Sequence, residues 1–315
     1  MLRLQIITDR FLYEPAVLSG MSWETVRKSS PGKMKFTTIR DPDMKFAEGD
    51  VVAVYNGNDG FFKGVIFTTS FSEDEKIDIV AYDQLRYFKN KDTRNYKSKT
   101  ADGLLKLIAQ DYGLAVGGCD DTGYPISRVE DDEELFSIME NAVYDTLVNT
   151  GKLYVLYDDF GLLRLREISN MKIPLLIDGE TAGSYTYKST IDSDTYNAIR
   201  LTYTDNDSGK KTYYASEDKE TQKKWGVLQY TQNIDTQEGA NLRAKSMLQM
   251  YNTPLKTLKI KDCIGDIRVR AGTAILLKRN PDQDPNWMIV EKAVHNFKDG
   301  FDFMDLTLKG GDING

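Results

Sequence analysis

A single histidine, His295, stands among the 315 residues, with only two cysteines and eight prolines. One histidine excludes any two-histidine metal site such as HExxH. It also confines a serine–histidine–aspartate arrangement to His295, and no GxSxG elbow is present to serve it. His295 lies in the alternating run "IVEKAVHNFKDGF", where a lone histidine reads as structural. Cys119 and Cys263 are far apart and form no CxxC, so reduced thiols of a cytosolic protein are expected. No apolar run reaches the length of a membrane-crossing helix, and "MLRLQIITDRF" has no apolar stretch long enough for a secretory core. With 48 acidic against 41 basic residues the net charge is −7, which argues against a free-standing nucleic-acid binder.

What is present is mostly alternation. Residues 1–83 read as short strands: "KMKFTTI" (33–39), "DVVAVY" after Gly49, "KGVIFTTSF" (63–71) and "KIDIVAYD" (76–83). "NGNDG" (56–60) is a strong turn, because Asn and Gly tolerate positive φ. Val65, Phe67, Thr69 and Phe71 are expected on one face, Ile77, Ile79 and Ala81 on another. From Thr100, the expected N-cap, Leu104, Leu105, Ile108 and Tyr112 repeat at helical spacing until Gly113. A second helix is expected over 132–149, with Glu130, Asp131, Asp132, Glu133 and Glu134 at the positive end of its dipole rather than around a cation. "LYVLYDDFGLLRLREI" (153–168) predicts a hairpin. "DNDSG" (205–209) predicts a hairpin turn, since position 216 is Ser where a calcium loop needs an acid. A third helix is expected over 236–251, stopped by Pro254.

The segment "AYDQLRYFKNKDTRNYKSKT" (81–100) interleaves aromatic and basic residues, as single-strand nucleic-acid grooves do. Its place between the last strand of one β unit and the first helix of the next favours a joint whose aromatics seal its flanks.

The C-terminal strands restate the N-terminal ones. "KMKFTTIRDPDMKFAEGDVVAVY" and "PLKTLKIKDCIGDIRVRAGTAILL" each place an alternating strand, a charged connector, a Gly (Gly49, Gly272) and an apolar strand in that order. Each then continues with a loop, a long strand, a tight turn and a final strand. The phase of Phe301 and Phe303 differs from that of Leu306 and Leu308, so a bulge near Met304 is expected. Three such chains in a ring would present six near-equivalent β units.

Through "AYDQLRYFKNKDT", "LYVLYDDFG", "DSDTYNAIRLTYTD", "KKWGVLQY" and "GDIRVRAGTAILL" the chain resembles the baseplate hub proteins of contractile phage tails, defective prophages and tailocins, the XkdQ/YqbQ type. The resemblance implies a mainly β fold with an α+β insert: two tube-like β-barrel domains joined by a helix-containing domain. The implied divisions are 1–92, 93–170 and 171–315, the last including the helix at 236–251. It implies a structural role, as a homotrimer linking a hexameric tail tube to a trimeric central spike. Other baseplate proteins are further partners, DNA passes at most transiently through the lumen, and no membrane is involved. It implies no catalytic, cofactor or metal residues. Synthesis in the bacterial cytoplasm and assembly into the baseplate of a phage tail or tailocin follow from the same resemblance. Hairpin tips lie at the ends of barrel strands, so Asn56, Asn58, Asp59, Asp282, Asp284 and Asn286 are the candidate interface residues. The competing readings are a cell-wall hydrolase, through two carboxylates or through Cys119 or Cys263 with His295, and a single-strand nucleic-acid binder.

Overall fold

The computed structural model describes residues 2–310 apart from 72, 74, 179–182, 206–207, 235 and 279–284. The first β unit contains β1 (Leu2–Ile7), β2 (Leu12–Tyr13), β3 (Met21–Val26), β4 (Lys33–Ile39), β5 (Val51–Asn56), β6 (Asp59–Phe71) and β7 (Lys76–Tyr82). β5 and β6 pair down to Asn56 and Asp59, leaving Gly57 at φ 63° and Asn58 as a two-residue loop. Alternation places Met34, Phe36, Ile66, Ile77, Ile79 and Ala81 in one core. The expected face of β6 changes partway, because Phe67 is an extra residue between Ile66↔Ala81 and Thr68↔Val80. The bulge sends Ile66, Thr69 and Phe71 to the core face and turns Phe67 outward onto Tyr82 and Tyr87.

A 3₁₀ turn over Gln84–Lys89 leads to β8 (Lys91–Lys99), α1 (Ala101–Asp111), β9 (Ile126–Glu134), α2 (Leu135–Thr150), β10 (Tyr154–Asp158) and β11 (Leu163–Glu167). Thr100 caps α1 through Gly103 N–H, and Leu104, Leu105 and Ile108 are fully buried against Leu135 and Ile138 of α2. Each such side chain contributes roughly 1.5–3 kcal/mol of burial. Helix α2 starts later than expected. The acidic run belongs to β9, whose partner β8 is basic, so cross-strand attraction outcompetes the helix dipole for these carboxylates. The expected joint at 81–100 is therefore half joint and half strand, and the division expected at 92/93 falls inside β8.

The remaining elements are β12 (Lys172–Ile177), β13 (Ser184–Thr190), β14 (Ala198–Thr204), β15 (Lys211–Glu217), α3 (Lys219–Trp225), β16 (Gln229–Ile234), α4 (Ala240–Tyr251), β17 (Leu255–Ile264), β18 (Ala274–Leu277), β19 (Asn286–Lys298) and β20 (Phe301–Gly310). Residues 198–251, expected within the second β unit, instead form a sheet of their own in the order β15-β14-β16, covered by α4. Val148 of α2 joins that core, and Asp145 of α2 holds both Arg128 (3.0 Å) and Arg243 (3.2 Å). This small unit is tied to the α+β insert by the Arg243–Asp145 pair and by the packing of Val148 into its core.

The insert strands pair as β8-β9 and β10-β11, and the strands of the two β units share a thirteen-stranded sheet, in the order β13-β17-β20-β19-β3-β4-β7-β6-β5-β1-β2, with β18 beside β19 and β12 beside β18. The bulge expected near Met304 is elsewhere. β20 keeps its phase, Met304, Leu306 and Leu308 point inward, and Phe301 and Phe303 simply face out. The extra residues lie in its partners, at Glu291 of β19 and at Lys261–Asp262 of β17.

One buried carboxylate in the insert supports a stability prediction. Asp102 accepts from Thr122 N–H (3.3 Å), Thr122 Oγ1 (3.0 Å) and Lys106 Nζ (2.9 Å). Burial pushes its pKa up, but the hydrogen bonds from Lys106, Thr100 and Thr122 outweigh burial and hold it at about 2. A carboxyl depressed in the folded state stabilises the fold above its unfolded pKa and loses that contribution as pH falls through the folded value. Asp102→Asn is expected to lower stability by about 1–2 kcal/mol at pH 7. Urea unfolding should show the gap between variant and parent closing as pH approaches 2.

Candidate interaction surfaces and the buried joint

Three parts of the chain meet around one cation. The loop between β17 and β18 carries Arg270, whose guanidinium lies 4.3 Å over the Tyr157 ring and 5.7 Å from the Trp23 ring. Its Nη2 donates to the Asp158 carbonyl at 2.6 Å. Next to it, Ala271 N–H donates to Thr25 Oγ1 at 2.9 Å. One arginine thus touches the first β unit, the insert and the second β unit. Two buried carboxylates face the same place. Asp83 accepts from Gly32 N–H (2.9 Å) and Leu85 N–H (3.0 Å); Asp158 accepts from Gly161 N–H (2.7 Å) and Gln84 Nε2 (3.1 Å). Burial raises the Asp83 pKa well above the usual range, the neighbouring Asp158 charge raises it further, and Arg270 opposes both. Burial likewise raises Asp158. Gly60 sits against this joint, where an added Cβ would lie 2.3 Å from the Phe160 ring.

His295 is fully buried and wholly engaged. Its Nδ1 meets Asp302 at 2.9 Å, its Nε2 meets the Val269 carbonyl at 2.7 Å, and its ring stacks on Trp23 at 5.0 Å. Cys263 Sγ donates to the Met304 carbonyl at 3.2 Å, and burial pushes its thiol up to about 12. Met304 is the strand partner of both residues and separates them. Among the described residues no base is aimed at the Cys263 sulfur, so this pair has neither the geometry nor the ionisation of an activated thiolate. Cys119 Sγ faces the Gly117 carbonyl at 3.8 Å.

Of the six basic residues of 81–100, Arg86 lies over the Phe67 ring at 5.2 Å and two are ion-paired. Lys91 pairs with Asp132 at 2.8 Å, and Arg94 with Asp92 and Asp111, both at 2.8 Å. Tyr96 is buried, donating to Glu130 at 3.3 Å, and Phe88 is in the insert core. Its rings are therefore core and joint material rather than a stacking platform.

Asn56, Asn58 and Asp59 sit together, exposed, at the β5–β6 tip. Asn286 is exposed at the start of β19, while Asp282 and Asp284 lie outside the described residues. What sequence reasoning missed is a set of apolar side chains left in solvent at strand ends. Phe71 is 69% exposed although it points to the core face beside Ile77, and Tyr185 is 65% exposed beside the buried Ile260. Ile264 and Phe301 are each 67% exposed on β17 and β20. The alternation of β6 contained the signal, but without a register it could not be told from an ordinary core position.

Two measurements probe these sites. Arg270→Leu strands two buried carboxylates, a loss of about 3–5 kcal/mol at pH 8. Carboxyls with raised folded pKa values stabilise the fold when protonated and lose that as pH rises, so the loss should shrink at pH 5, as read by urea unfolding. Thiol titration at pH 8 should count one reactive cysteine, Cys119, in the native chain and two after denaturation.

Comparison with known proteins bears on the whole architecture. The profile of the YqbQ-like family matches residues 21–309. The phage-like element PBSX protein XkdQ of Bacillus subtilis is 27% identical over 289 residues, covering 88% of this chain and 87% of its own. A tail protein of Neisseria meningitidis superposes with a TM-score of 0.74 at 10% identity, over 99% of this chain and 97% of its own. The 43 kDa tail protein of prophage MuSo2 from Shewanella oneidensis gives 0.70 at 12% identity, over 97% and 98%. The chain belongs to the YqbQ-like family and has the fold of phage tail proteins.

Proposed function

We propose that this protein is a structural hub of a contractile tail baseplate, a homotrimeric ring that joins a hexameric tail tube to a trimeric central spike. The observation that carries the reading is the internal repeat. β4-β7-β6-β5 in the first unit and β17-β20-β19-β18 in the second have the same strand order, within one sheet. Three chains with two equivalent units each present a pseudo-six-fold face on a three-fold object, which is the geometry a tube-to-spike adaptor needs. The two units are the tube-like domains, and the α+β insert and the 198–251 unit lie outside them.

The role is assembly and transmission of the contraction event, with no chemistry of its own. Support for this comes from His295 and Cys263, whose polar atoms are spent on structural hydrogen bonds. DNA passes through the lumen without being held, in keeping with Lys91 of β8 paired to Asp132 of β9 and Arg94 of β8 paired to Asp111 of α1. The chain is made in the bacterial cytoplasm and assembles there into a phage tail or tailocin. The tips at Asn56, Asn58, Asp59 and at Asp282, Asp284, Asn286 meet the tube or the spike at an end of the ring.

Light scattering of the purified chain should give three times the chain mass, with rings in negative-stain images. A chain that stays monomeric and fails to assemble with its tube and spike proteins would overturn the reading. Deleting 280–286 should abolish binding to one of those partners while the trimer persists; intact assembly would remove the tip assignment.

A further inference from the structure

The repeat is exact enough to transfer a register. In the first unit Gly49 N–H donates to the Ile66 carbonyl and Ile66 N–H to the Asp50 carbonyl, both at 2.9 Å. In the second, Gly272 N–H donates to the Val290 carbonyl and Val290 N–H to the Thr273 carbonyl, both at 2.8 Å. The next residue, Phe67 or Glu291, is the bulge in each case. Ile66 therefore corresponds to Val290, and Thr68–Phe71 to Lys292–His295. Across the sheet Ala81 corresponds to Leu308, and Met34 to Leu258.

The two copies differ in what lies beside that second half of the long strand. In the second unit it is occupied. Lys292, Ala293, Val294 and His295 pair with Val26, Thr25, Glu24 and Trp23 of β3, which is how the first unit joins the second. In the first unit, no strand among the described residues lies beside Thr68–Phe71 on that side; the Glu48 carboxylate holds the place instead, accepting from Thr69 Oγ1, and an added strand displaces it. The counterpart of β3 is β13, because Trp23 lies opposite Met34 as Tyr187 lies opposite Leu258. β13 ends the sheet, and no strand among the described residues lies on its outer side. The chain therefore carries one edge shaped like β3 and one site shaped like the place where β3 docks.

We propose that β13 of one copy adds antiparallel to residues 68–71 of β6 in the next, repeating between chains the junction that β3 and β19 make within one. The proposal rests on the trimeric ring reading and specifies its contact. The transferred register is Thr190 opposite Thr68, Ser189 opposite Thr69, Lys188 opposite Ser70, and Tyr187 opposite Phe71. Both strands bring core-face side chains to the seam. Phe71 (69% exposed) and Tyr185 (65% exposed) point toward the faces that hold Ile77 and Ile260, so addition of a strand continues those faces and covers the rings. The within-chain junction shows the result: Trp23 and His295, the counterparts of Tyr187 and Phe71, are 2% and 0% exposed and stacked. The interface is head-to-tail, since β13 and β6 are different surfaces, and a repeated head-to-tail contact closes into a ring when its rotation permits. A partner of other chemistry is disfavoured because the acceptor site matches an edge this same chain supplies.

The test is a cross-link. Opposed antiparallel residues have Cα atoms about 4.5–5.5 Å apart, within disulfide range. Ser70→Cys with Lys188→Cys, in a Cys119→Ser background, should give a non-reducing ladder ending at trimer on glutathione oxidation. The out-of-register pair Ser70→Cys with Ser184→Cys should give none. Phe71→Lys should convert trimer to monomer in light scattering with the melting temperature of the monomer unchanged, since the ring it replaces is already in solvent. A trimer that does not cross-link at 70–188, or cross-links equally out of register, overturns strand addition and leaves the ring reading standing. A chain that is monomeric at the highest concentration reached and forms no ladder overturns both.

Discussion

Thirteen residues, Asn286–Lys298, hold two β units in one sheet. The first part of this strand pairs with β18 of its own unit, and the part after Glu291 pairs with β3 of the other. A bulge between the two parts lets one strand serve both, because an extra residue bends the chain and increases its twist. Without that bend, a continuous strand would carry β18 and β3 in a single plane. The Trp23–His295 stack and the His295 bonds to Asp302 and Val269 then lock the junction from its core side. The sole histidine of the chain is used here for geometry.

A second constraint fixes the α+β insert. Arg270 stands where burial disfavours its charge, and two carboxylates stand where burial disfavours theirs. Each is tolerated because the others are present and because backbone groups of neighbouring segments supply hydrogen bonds. Such a cluster adds little net stability compared with apolar packing, but it is intolerant of losing a member. That intolerance gives the joint a single arrangement. The Arg243–Asp145 pair does the same for the unit at 198–251, with Arg128 holding Asp145 from within the insert.

Local structure was legible wherever one residue type has one conformational use. Thr100 before a helical stripe, Gly57 in a two-residue hairpin and Gly151 after α2 each do what their chemistry favours. The misreadings share a cause. The acids at 130–134 were compatible with a helix start until β8 proved to be a basic strand opposite them. Phe67 and Phe71 fit one alternating face until a bulge separated them. The helix at 240–251 belongs to a sheet closed among residues 198–234, which alternation could not distinguish from the larger one. Partners distant in sequence decided every case.

The sequence by itself determined that the chain is mainly β, that its C-terminal strands repeat its N-terminal ones, and that histidine-dependent catalysis has no second ligand to draw on. Those follow from periodicity and composition, which are local. Tertiary structure alone decided that β19 is shared, that Arg270 is the joint, and that β13 ends the sheet. Register, bulges and edges are properties of pairing. Shifting a strand by one residue reverses every side chain on it, and only the assembled sheet selects among the alternatives.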